Sequence, residues 1–105
     1  MTYRDDLRRR YPGLYEALAE ILFRHDPVGI DLEAHPEEYE PEVDAVLPRL
    51  AAANGIDDLT PVLFEEFVRR FGSSAGRLEY YEPIAIDVWQ AWQQFSRASQ
   101  SRDQG

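Results

Sequence analysis

The chain has no cysteine, no lysine and no apolar run of bilayer length. Without cysteine there can be no disulfide, no thiolate nucleophile and no thiolate zinc site. A transmembrane helix needs about 20 predominantly apolar residues, and no segment here approaches that. The opening MTYRDDLRRRYPG carries charge but leads into no purely apolar stretch, so a secretory signal is not expected. The expectation is a cytoplasmic protein with no membrane association. All eleven basic residues are arginine, which a coding bias explains more simply than eleven separate needs for a planar guanidinium.

Several catalytic patterns are also missing. There is no glycine-rich phosphate loop, and the serines at 73, 74, 96, 99 and 101 fall in a loop or a tail rather than on a strand-to-helix elbow. Acid pairs are plentiful, but among twenty acidic residues such pairs arise by chance. Enzyme activity and a bound cofactor are therefore not expected.

What is present is a 105-residue chain with 44% apolar and 12% aromatic residues, enough for one packed core and too short for two. The net charge of −9 is unevenly spread. Residues 25–48 carry eight acids and no base, while the rest carries twelve acids against eleven arginines. A nucleic-acid binder needs a basic face, and Arg4, Arg8, Arg9 and Arg10 are interrupted by Asp5 and Asp6, so nucleic acid is not an expected partner.

Helical periodicity runs through the chain. Leu14, Leu18, Ile21 and Leu22, with Tyr11 and Tyr15, mark a first helix ending near Arg24, because Pro27 disfavours helical geometry at Asp26. Tyr39, Val43, Val46, Leu47 and Leu50 mark a second, with a kink or break expected at Pro48 and termination at Asn54-Gly55. A third is expected from an N-cap at Asp57 or Thr60 to Gly72. Its stripe is Leu63, Phe64, Phe67, Val68 and Phe71, with Glu65–Arg69 and Glu66–Arg70 as i, i+4 pairs. The fourth is expected from about Glu79 to Phe95, on Tyr81, Ile84, Ala85, Val88, Trp92 and Phe95. The resulting expectation is an all-α bundle of four main helices, with a short N-terminal helical turn. Residues 1–95 form the single domain and 96–105 a flexible tail.

The stretch HDPVGIDLEAHPEEYEPEVD contains the candidate sites. Asp26, Pro27 and Gly29 fit positions i, i+1 and i+3 of a type I turn, with Ile30 following as a plug for the bundle end. His25, Asp26 and His35 offer metal-ligating atoms, yet the histidines are ten apart and no paired-ligand spacing on one helix exists, so metal binding is the weaker reading. His25 is expected to be buried or half-buried with one hydrogen bond. The acids Asp31, Glu33, Glu37, Glu38, Glu40 and Glu42 exceed what the dipole of a helix start requires. On the fourth helix, Trp89 lies about 80° and Ile86 about 140° from the stripe's centre, and Phe23 lies about 140° off the first helix's stripe. Such residues either pack under a loop or form an apolar patch for a partner or a second copy.

Taken in order, LAEILFRHDPVGID, EEYEPEVDAVLPRL, LTPVLFEEFVRRFG and PIAIDVWQAW resemble a family of short bacterial proteins classed as a domain of unknown function. Its members carry a helix ending in a Trp-Asp-Pro-x-Gly-Ile turn, then an acidic, Tyr-containing helix start and a Phe-rich third helix. The similarity spans about residues 14–95 and rests most on Asp26, Pro27, Gly29, Ile30 and Tyr39, with His25 standing where the family has Trp. It implies a small helical fold and no catalytic residues. The expected function is a non-enzymatic acidic module for a basic protein partner, comparable to immunity proteins that cap basic toxins. Asp31, Glu33, Glu37, Glu38, Glu40 and Glu42 would form the docking surface, flanked by Ile86 and Trp89. A small-ligand or metal-binding helical protein is the alternative, and a helical domain whose acids serve only solubility is the plainest reading.

Overall fold

The computed structural model describes residues 2–29 and 36–103. All regular structure among them is helical: α1 (Tyr3–Arg10), α2 (Leu14–His25), α3 (Glu40–Leu50), α4 (Ile56–Phe71) and α5 (Glu82–Asp103). Single 3₁₀ turns at Pro36–Tyr39, Gly72–Ala75 and Leu78–Tyr81 lead into or out of the longer helices. No described helix is long and apolar enough to cross a membrane.

The apolar stripes become the core. Leu14, Tyr15, Leu18 and Leu22 of α2, Val43, Val46, Leu47 and Leu50 of α3, and Ile84, Ala85 and Val88 of α5 are all buried together. α5 packs along both α2 and α4, α3 lies against α4 and α2, and α1 crosses α2 and α3. On α4, Leu59, Leu63 and Phe67 point inward, whereas Val68 sits exposed on the rim. An aromatic ladder runs through this interior: Phe67 stands 5.6 Å from Tyr39 and 5.3 Å from Tyr81, ring centre to ring centre. Tyr11 closes the far end of the bundle against Trp92 and Phe95 of α5.

Helix ends depart from the sequence reading. α1 is a full two turns, fastened by a capping box in which Thr2 Oγ1 accepts the Asp5 amide (3.1 Å) and Asp5 Oδ2 accepts that of Thr2 (3.4 Å). α3 passes through Pro48 and ends at Leu50, well before Asn54. There the chain tightens into i→i+3 bonds from Ala52 to Arg49 (3.2 Å) and Ala53 to Leu50 (3.0 Å). α4 starts at Ile56 with Gly55 as its N-cap, two residues before the expected Asp57 cap and about a turn before Thr60. Pro61 is tolerated because it deprives only the carbonyl of exposed Asp57, while Asp58 accepts the Asn54 amide (2.9 Å) from the approaching chain. α5 continues to Asp103 rather than stopping near Phe95, since Ser, Arg, Ala and Gln are all compatible with a helix and no Pro or Gly intervenes.

Three tyrosines, Tyr15, Tyr39 and Tyr81, have no exposed surface, and each donates its hydroxyl over 2.6 Å, to Asp44 Oδ1, Asp26 Oδ1 and the Ala75 carbonyl respectively. No buried side-chain N or O among the described residues lacks a hydrogen bond. Tyr39→Phe removes one of these donors and leaves the Asp26 carboxylate with a lost bond at the core's edge. We expect it to lower stability by about 1–3 kcal/mol in urea denaturation, and an unchanged midpoint would show that Tyr39 contributes through its ring alone.

Candidate functional site

The acidic stretch is organised by its two ends. α2 stops at Asp26, the one described non-glycine residue with positive φ (45°). This left-handed step ends the helix with the Asp26 amide still bonded to the Leu22 carbonyl, and Gly29 (φ 69°) returns a bond to the Asp26 carbonyl at 3.1 Å. Pro27 and Val28 lie in the turn between them. At the other end Tyr39, the last residue of a 3₁₀ turn, sends its hydroxyl back to the Asp26 carboxylate. Burial first, and then this bond, raise the Tyr39 phenol above its ordinary range. The Asp26–Tyr39 contact thus draws together two points of the chain thirteen residues apart.

Beyond this neck, several of the acids take specific basic partners. Glu40 lies 2.6 Å from Arg8 and 3.2 Å from Arg4, and Asp44 lies 2.9 Å from Arg4, so one face of α1 is laid over the start of α3. Asp44 also accepts from Tyr15. Glu42, with 2% of its side chain exposed, receives Arg70 Nη1 of α4 at 2.6 Å. Arg70 and Arg49 replace the i, i+4 pairing expected within α4. Arg70 crosses to Glu42, and Arg49 of α3 reaches Glu66 (3.0 Å) and Glu65 (2.7 Å); within α4 only a 3.6 Å Arg69–Glu66 pair is found. Glu42 and Glu66 are buried in the α3–α4 seam, where a carboxylate needs a charged partner more than on a solvated face, and the arginines closest to them come from the facing helix.

The remaining site residues are dispersed. His25 is half-buried with Nε2 at 2.7 Å from Asp87 Oδ2 on α5, and Arg24 approaches the same carboxylate at 3.5 Å. Asp87 was not legible as a partner, since nothing in the sequence ties position 87 to position 25. His35 lies outside the described residues, as do Ile30, Asp31 and Glu33. No group of three metal-ligating side chains comes together among the described residues. Glu38 is exposed. Phe23 and Trp89 pack half-buried against the core, which leaves Ile86, 37% exposed and one residue before Asp87, as the apolar outlier on the surface.

A shallow groove of about 610 Å³ is bounded by Arg49, Phe64, Glu65, Glu66, Val68 and Arg69. Its carboxylates are held by Arg49, and it contains no nucleophile or acid–base pair poised on an open floor. No protein-family model, curated protein or solved structure matches the chain.

Burial pushes the Glu42 carboxyl up from its usual 4.5 to about 7, with Arg70 opposing the shift. A carboxyl whose folded pKa is raised binds its proton more tightly when folded. Its contribution to stability is therefore complete below about 4.5 and is lost as pH rises through about 7. Urea titrations across that window should show Glu42→Gln abolishing a downward slope present in the parent protein. Parallel pH profiles for the two would mean that Arg70 fully offsets the burial.

Proposed function

We propose that this chain is a non-enzymatic interaction module that docks a basic protein partner on its acidic connection between α2 and α3. The observation that supports this reading is the run of acids in residues 25–48 with no arginine among them. Of the eight acids in residues 25–48, Glu40, Glu42 and Asp44 are neutralised by Arg4, Arg8 and Arg70. Asp26 accepts from Tyr39, and the other four acids, Asp31, Glu33, Glu37 and Glu38, fall in a run of sequence that contains no arginine. Glu40 and Glu42 serve the fold, and the docking role falls to the acids before Tyr39.

His25, at the start of the acidic stretch, is held to Asp87, and exposed Ile86 precedes Asp87 on α5. An acid-rich connection together with an exposed aliphatic side chain suits a partner that arrives by electrostatic steering and seats a small apolar anchor. Like charge disfavours two copies pairing through the same acids, so a basic protein is the better occupant than a second chain. A small immunity protein capping a basic toxin would have this character.

Proteins retained by the immobilised chain at low salt should be released at 1 M salt. The variant Asp31→Asn/Glu33→Gln/Glu37→Gln/Glu38→Gln should slow association of the retained partner by about tenfold or more. A control neutralising Glu16 and Glu20, exposed on α2, should leave it unchanged. Retention that ignores salt, or equal losses in both variants, would remove the docking role.

A further inference from the structure

Glu42 and Arg70 form an unequal pair. The carboxylate is 2% exposed, while the guanidinium that holds it is 36% exposed and lies over the Phe71 ring at 4.8 Å. The same nitrogen, Arg70 Nη1, donates twice: to Glu42 Oε1 at 2.6 Å and to the Glu38 carbonyl at 2.9 Å. Glu38 belongs to the 3₁₀ turn that closes the acidic connection, and Arg70 belongs to the last turn of α4. One cation therefore ties the exit of that connection to a helix that is remote in sequence.

We propose that the Glu42–Arg70 pair is a proton-operated latch that fastens the end of the acidic connection, at the Glu38 carbonyl, to α4. The ionised carboxylate fixes the guanidinium where its nitrogen also meets the Glu38 carbonyl. Protonation of Glu42 replaces the charged acceptor of Arg70 with a neutral carboxyl that holds it less strongly, and its exposed side can turn to water. The charged groups around Glu42 favour such a change. From its own helix, Asp44 adds negative charge, although Arg4 and Tyr15 occupy that carboxylate; Glu40 is taken up by Arg4 and Arg8. From α4, Glu66 is a second buried carboxylate, bound by Arg49 and Arg69, which leaves Arg70 as the cation bonded to Glu42. The raised pKa of Glu42 puts the transition near neutrality. The latch is a property of the α3–α4 seam and stands whether or not the docking reading holds.

Nuclear magnetic resonance on the full chain tests this directly. The Glu42 carboxyl carbon should titrate with a midpoint near 7. Exchange of the Arg70 guanidinium N–H with solvent, normalised to exposed Arg97, should speed up by roughly threefold or more between about pH 8 and about pH 5.5. Glu42→Gln should show the faster exchange at both pH values, and Glu66→Gln should keep the pH dependence. A Glu42 midpoint near 4.5, normalised Arg70 exchange that does not change with pH, or a response abolished equally by Glu66→Gln would each overturn the latch.

Discussion

A tyrosine with no exposed surface must find an acceptor for its hydroxyl, because an unbonded O–H in an apolar interior costs on the order of 1–3 kcal/mol. That requirement shapes much of this molecule. Tyr15, Tyr39 and Tyr81 fill large volumes in the core, and each hydroxyl meets an oxygen elsewhere in the chain, those of Tyr15 and Tyr39 at part-buried positions and that of Tyr81 in the interior. Tyr15 ties α2 to Asp44 on α3. Tyr81 holds the 3₁₀ turn at Ala75. Tyr39 returns to Asp26, so the left-handed end of α2 and the entry to α3 are set by one bond. The rings supply apolar burial and the hydroxyls supply direction.

The arginines carry out a second sorting, among the acids. Arg4 and Arg8 from α1 and Arg70 from α4 converge on the first turns of α3, where Glu40, Glu42 and Asp44 lie. Exposed ion pairs of this kind contribute little each, but together they place α1 across the bundle, and Arg8 also covers the Tyr15 ring at 4.8 Å. Glu42 is the exception, because burial opposes its ionisation even with Arg70 in contact. The consequence for function is subtraction: acids claimed by the fold are not available to a partner.

Much of the architecture is legible in the sequence because burial follows periodicity. The positions spaced three and four apart from Leu14 to Leu22 and from Val43 to Leu50 are the ones that pack inward. Helix ends are less legible. Pro48 and Pro61 both sit within helices, each where the lost hydrogen bond falls near an end and little is disturbed. The Thr2–Asp5 capping box was readable as Thr-x-x-Asp, a weaker form of the usual Glu or Gln pattern. The extension of α5 past Phe95 had no apolar signal at all; it rests on helix propensity and the continuity of an established helix.

By itself the sequence determined which faces are apolar, and that the surplus negative charge lies in residues 25–48. Those are local properties, fixed by the identity and spacing of neighbouring residues. Only the tertiary structure decided that Glu40, Glu42 and Asp44 are paired with Arg8, Arg70 and Arg4. Arg70 is 28 residues from Glu42, Arg8 is 32 from Glu40, and His25 is 62 from Asp87. A charge pair depends on distance in space and on the water excluded around it, and neither quantity is encoded in the spacing of residues along the chain.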